Sequence, residues 1–299
     1  MTGVQTCALP ICHREALTLL QRAVALAAPA AEKEITPLGA STMSNIFGFL
    51  AGAHQHLGRF ADGNVWAWRS VEFGKTHGVP LAQAFGYEFL GENTVNMGDW
   101  QQALEFVERE REIALRMNSR ERRAWTYLVT GISHMLARDL PAAERELEEG
   151  MALAQSIGEQ RLALLLKGNL AIVLADLGRF DEAFKIAREN FAGGEALGLL
   201  YSRGEGRRCL AHVHFKHGEF AEAVRLCDEV LELLGNAETR VIRLWLGPLH
   251  IEALWSAGRR EEAQQRLADY EAVVADCQAP RCEREIVRLK KLLDQSDAK

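Results

Sequence analysis

Gly58, Gly98, Gly178, Gly218 and Gly258 fall in one column at multiples of 40 residues, with Arg138 at its remaining position. Five residues after each stands a small side chain: Gly63, Ala103, Ala143, Ala183, Ala223 and Ala263. Two residues after the first column come Phe60, Trp100, Leu140, Phe180 and Phe220, then Arg260. A second turn column, Gly78, Asn118, Gly158 and Gly198, closes the units. A fixed period of this size restricts the chain to a repeat architecture, in which each unit buries its apolar face only by stacking on its neighbours.

Between the turn columns, apolar residues recur at three- and four-residue spacing, as Leu174, Leu177, Phe180, Phe184 and Ala187 show, and this is the period of an amphipathic helix. Each unit therefore holds two helices. The glycine columns fall where a left-handed residue releases the chain and satisfies the last carbonyls of a helix. Connections of three or four residues make successive helices antiparallel neighbours. Inside the first helices runs a further small column, Ala51, Gly91, Gly131, Ala171 and Ala211, which lets the axes of each pair approach to about 8 Å. The expected fold is all-α, a right-handed α-α superhelix of antiparallel helical hairpins.

The strings LGRFDEAFKIA from Leu177, HGEFAEAVRLC from His217 and MGDWQQALEFV from Met97 resemble the helix-turn-helix core of tetratricopeptide repeats. The resemblance runs from Ala40 to Ala275. It departs from the family in its period, 40 residues where the usual unit has about 34, and in lacking the proline near the end of each unit. HEAT and armadillo repeats share the longer period but not this turn pattern. Longer units of this kind are similar to the repeat regions of large bacterial signalling ATPases, of adenylate cyclase fusions and of maltose-regulator-type transcription factors.

The units imply a division of the chain. Residues 1–12 stand apart, because Met1 to Ile11 resemble the translated tail of a sequencing adapter, and the native chain is then expected to begin upstream of His13. Residues 13–39 form a truncated first repeat and its loop, and residues 40–279 hold six repeats of 40 residues, beginning near Ser41, Leu81, Glu121, Arg161, Leu200 and Ala237. Residues 280–299 read as a capping helix with Ile286, Leu289, Leu292 and Leu293 on its apolar face, followed by a tail frayed from Ser296.

Composition excludes several functions. With 35 Lys+Arg against 41 Asp+Glu the formal charge is −6, which provides no basic excess for nucleic-acid phosphates or anionic lipid. The longest stretch free of Lys, Arg, Asp and Glu, Ile35 to Gly58, is too interrupted by polar residues to span a membrane. Cys209, Cys227, Cys277 and Cys282 form no dense disulfide framework, which points to reduced thiols and a cytoplasmic location. The GKT at Gly74 lacks the first glycine of a P-loop and its strand, and the GEG at Gly204 lacks the third glycine of a dinucleotide site. His54, His134 and His214 share one packing column, while His212, His214 and His217 lack metal-ligand spacing. No nucleophile elbow or paired catalytic carboxylates occur, so neither catalysis, cofactor nor metal is expected.

Family geometry places the concave groove eighteen, fifteen, eleven and eight residues before the small column. In this sequence the rule selects Phe85, Trp125, Leu165 and Trp245; Glu88, Leu128 and Arg208; Ile132, Ile172 and His212; and Val95, Met135, Phe215 and Trp255. The candidate binding residues are Phe85, Glu88, Trp125, Leu128, Ile132, Met135, Arg208, His212, Phe215, Trp245 and Trp255. The alternative is that part of this stripe is ordinary core between repeats. The resemblance implies a non-catalytic protein-interaction or sensor scaffold, the C-terminal region of a larger bacterial signalling protein. A free-standing adaptor and the ligand-sensing region of a transcription regulator are the other readings. The expected partner is a protein, a peptide or an upstream domain, with no nucleic acid and no membrane.

Overall fold

The computed structural model describes residues 13–31 and 36–294, so the adapter-like segment and the final tail lie outside the described residues. Fourteen helices make up the described chain: α1 His13–Ala31, α2 Pro37–His56, α3 Phe60–Thr76, α4 Pro80–Met97, α5 Trp100–Arg116, α6 Arg120–Leu136, α7 Leu140–Ser156, α8 Gln160–Asp176, α9 Phe180–Leu197, α10 Leu200–His217, α11 Phe220–Leu234, α12 Val241–Ser256, α13 Arg260–Ala275 and α14 Pro280–Asp294. Helices α2, α4, α6, α8, α10 and α12 pack in series as an inner layer, each backed by the helix that follows it.

The turns explain the period. Gly58, Gly98, Gly178, Gly218 and Gly258 all have positive φ, and at Gly178 the amide donates to Ala175 O at 3.1 Å while the Arg179 amide donates to Leu174 O at 2.9 Å. These bonds satisfy carbonyls that the end of a helix leaves open. Side chains start some of the next helices: Asp99 Oδ1 accepts from the Gln102 amide at 3.1 Å, and Asp139 Oδ1 from Ala142 at 3.2 Å. Both are N-caps. Arg138, the one residue of the column that is not glycine, adopts the same left-handed conformation with φ 63°. An L side chain there costs about 1–2 kcal/mol, so Arg138→Gly is expected to stabilise the chain by about 1 kcal/mol after the entropic cost of glycine. Urea denaturation of the two proteins measures this. The 3.7 Å contact of Arg138 with Asp176 is lost in the variant, but the Arg138 side chain is 73% exposed and the pair contributes little.

The main core is built of leucines from α7, α8, α10 and α11, among them Leu147, Leu162, Leu166, Leu170 and Leu226. Small residues set the helix spacing: a Cβ on Gly131 would come within 2.5 Å of Leu147 Cδ2.

Two helix starts differ from the spacing of the columns. Helix α2 begins at Pro37, ahead of Ser41, because Thr36 caps it by accepting from the Gly39 amide and proline is favoured at N1. Helix α12 begins at Val241, after Ala237. Helix α11 stops at Leu234, where Gly235 turns with φ 43°, and residues 235–240 run on as a loop.

That loop carries the chain back to its beginning. The Arg240 amide donates to His56 O at 2.6 Å, and the Gln278 amide donates to Gly58 O at 2.9 Å. Arg14 pairs with Glu238 at 3.1 Å, and Trp245 Nε1 donates to Asn96 Oδ1 at 2.8 Å. The Arg281 guanidinium lies 3.7 Å over the Trp245 ring. Phe60, wholly buried, belongs to the apolar cluster of α12, α13 and α14 although it stands in the first complete repeat. The superhelix therefore makes one turn and its ends meet along a seam.

Candidate binding cavity

Closing the ring encloses a cavity of about 2040 Å³. Its wall comes from α1, from the inner helices α2 to α12 and from α14, with the loops at Leu199 and Ala237 at its margin. Nine of the sequence-derived candidates, Glu88, Trp125, Leu128, Ile132, Met135, Arg208, His212, Phe215 and Trp245, line it. Phe85 and Trp255 do not. Phe85 packs under the Arg122 guanidinium, 4.5 Å from its ring centroid, and Trp255 packs into the cluster that α14 covers. Groove and core are not exclusive here: Trp125 and Leu128, each 7% exposed, belong to the main core and still face the cavity. Leu128, Ile132, Met135, Leu165, Ile172 and Phe215 give the wall an apolar band.

The polar wall is a set of internal pairs. Arg208 grips Glu205 with Nε at 3.0 Å and a terminal nitrogen at 2.7 Å from the same oxygen. Asp176 accepts from Lys216 at 2.9 Å and faces His212 Nε2 at 3.1 Å. Burial works against the Asp176 charge, but hydrogen bonds and charges from His212 and Lys216 outweigh it and hold the carboxyl down at about 2. Arg288 spans Glu252 and Glu285.

Helix α4 contributes Glu88 and Glu92, one turn apart. Glu88 is ion-paired with the buried Arg122. Glu92 forms no ion pair among the described residues; Gln55 Nε2 donates to its Oε2 at 2.7 Å. Burial and the neighbouring Glu88 charge push Glu92 up to about 7. Behind them Glu110 of α5, fully buried and with neither oxygen hydrogen-bonded, is driven well above the usual carboxylate range by burial and then by Glu88.

Several of these residues escaped the sequence reading. Glu92, Glu205 and Glu252 stand at the same offsets that selected Ile132, Trp125 and His212, and carrying the rule through every unit finds them. Arg281, Glu285 and Arg288 reach the wall only because α14 folds back on α4 and α12, a contact with no local sequence signal. Cys209, Cys227, Cys277 and Cys282 are buried free thiols. Among the described residues no group of three His, Cys, Asp or Glu side chains could hold a metal, and no described helix is long and apolar enough to cross a membrane.

Residues 164–197 and 207–234 match the tetratricopeptide repeat family model. These segments lie on the α8–α9 and α10–α11 hairpins. No curated protein sequence matches the chain. Among solved structures, NprR in complex with its cognate peptide NprX superposes with a TM-score of 0.68 at 11% identity, covering 96% of this chain and 83% of that one. A Rap protein complexed with competence and sporulation factor gives 0.62 at 13% identity, covering 99% and 89%. BtubC from P. vanneervenii gives 0.56 at 16% identity, covering 74% and 91%. At these identities the likeness is one of fold. Two segments of the chain, residues 164–197 and 207–234, match tetratricopeptide repeats, and the architecture is an all-α solenoid like that of these structures.

Proposed function

We propose that this chain is a non-catalytic receptor that captures a peptide inside its ring, as the sensing or scaffolding part of a larger signalling assembly. The observation that carries this reading is the cavity itself: a continuous apolar band inside a wall whose charged groups are mostly paired with one another. Such a wall offers hydrophobic contact and a few oriented polar groups, the usual composition of a ligand site. At about 2040 Å³ it exceeds the 300–1,000 Å³ of a typical small-molecule pocket and has room for several residues. The fold shared with NprR and Rap, each solved with a peptide or a signalling factor bound, supports the same reading.

The test uses Trp125 and Trp245, which line the cavity and report its occupancy by fluorescence. Titration with a random heptapeptide pool is expected to give a saturable change. Ile132→Arg, which puts a charge into the apolar band, is expected to abolish the change while helical circular dichroism is retained. A linear, unsaturable response in the wild-type chain would sink the proposal.

A further inference from the structure

The charged side chains lining the cavity neutralise one another almost completely, and the exceptions define what an occupant has to supply. Glu88 is taken by Arg122, Glu205 by Arg208, Asp176 by Lys216, and Glu252 and Glu285 by Arg288. Arg281 is committed to the seam, stacked on Trp245. Besides Arg281, whose Nε also donates to Asn96 O at 3.4 Å, two lining residues of opposite sign, Glu92 and Arg161, form no ion pair among the described residues.

Each has one neighbour that orients it. Gln55 fixes one Glu92 oxygen, and Oε1 has no hydrogen bond among the described residues. Arg161 is exposed, its guanidinium lies over the Trp125 ring, 5.0 Å from its centroid, and it forms no hydrogen bond among the described residues. Arg161 also acts on the charges of Glu92 and Glu88 across the cavity. A lone cation at Glu92 would therefore face Arg161, and a lone anion at Arg161 would face two carboxylates. An occupant bearing both signs complements the pair without either penalty.

We infer that the cavity takes a short apolar peptide with both ends free, its ammonium on Glu92 and its carboxylate on Arg161. The inference rests on the peptide-capture reading and adds the chemistry of the ends. Side chains of such a peptide fall on the band of Leu128, Ile132 and Phe215.

The probe is a pool of tripeptides of Ala, Leu, Val and Phe in four forms: uncapped, N-acetylated, C-amidated and doubly capped. Retention is measured by equilibrium dialysis and mass spectrometry at pH 8, where Glu92 is ionised. The uncapped pool is expected to bind, with each cap weakening it roughly tenfold, the worth of one charge-assisted contact. Glu92→Gln is expected to erase the penalty of acetylation and leave that of amidation; Arg161→Gln is expected to do the converse. Both variants remove a charge that no ion pair holds, and circular dichroism checks their folding. Equal retention of all four forms overturns the pairing of the ends while leaving peptide capture standing. Retention of none overturns the inference about the ends, and the heptapeptide titration then decides whether peptide capture stands.

Discussion

Gly58→Leu is expected to open the ring, whereas Gly178→Leu, in the same column, leaves it closed. Both glycines are left-handed, with φ +72° and +78°, so each variant pays the same backbone cost of about 1–2 kcal/mol. Their surroundings differ. A Cβ on Gly178 meets nothing within 4 Å, whereas one on Gly58 would lie 2.4 Å from Cys277 Sγ and 3.1 Å from its Cβ. Gly58 also accepts the Gln278 amide through its carbonyl, so a bulky side chain there pushes directly on the seam. Overpacking of this kind costs about 1–3 kcal/mol more. Small-angle scattering is expected to show a larger radius of gyration for Gly58→Leu alone, with helix content unchanged in both. The same radius for the two variants would show that the seam is not held at this point.

The second large effect is a pH dependence that one substitution removes. Glu92 titrates near 4.5 in an unfolded chain and is raised to about 7 in the folded one, so the folded state binds the proton more tightly between these values. Its favourable contribution is complete below about pH 4.5 and disappears as the pH rises through about 7. His56 and His250, lowered by burial to about 3, act in the opposite direction, since acidification below their ordinary range charges them more easily in the unfolded chain. Those histidines are common to the wild type and Glu92→Gln, so the difference between the two proteins isolates the carboxyl. From pH 5 to pH 8 the variant is expected to gain about 2 kcal/mol of stability relative to the wild type. Urea midpoints at the two pH values measure it, and a pH-independent difference would mean that Glu92 ionises as freely as an exposed carboxylate. The charged groups that set its field are Glu88 on the same helix, Glu110 of α5, Arg122 of α6 and Arg161 of α8.

The local structure was legible in the sequence because the helix ends depend on single residues. Among the described residues every positive φ but that of Gly235 falls in one of the two turn columns, and position 138 follows its column into that conformation against the preference of an arginine. Part of the cavity wall was legible for the same reason, since fixed offsets from a small column pick out one face of each inner helix. The seam was not. Contacts such as Arg14 with Glu238 and Asp62 with Gln278 join residues more than 200 apart and depend on the accumulated rotation of all the hairpins. Phe60 looks like any other member of its aromatic column, yet its neighbours are from the last helices. The early end of α11 did leave a mark, Gly235 directly after Leu233 and Leu234, but the unbroken period masks it. Phe85 and Trp255 obey the offsets and still miss the cavity, because Arg122 and α14 cover them.

An open solenoid tolerates duplication or loss of a unit, because each repeat touches only its neighbours. A bracelet whose clasp fits at one circumference has no such freedom. Here the clasp is the meeting of His56 and Gly58 with Arg240 and Gln278, and adding or removing a single link would carry these partners past one another. The number of repeats between His56 and Gln278 is therefore fixed by the clasp as firmly as their sequence is by the core.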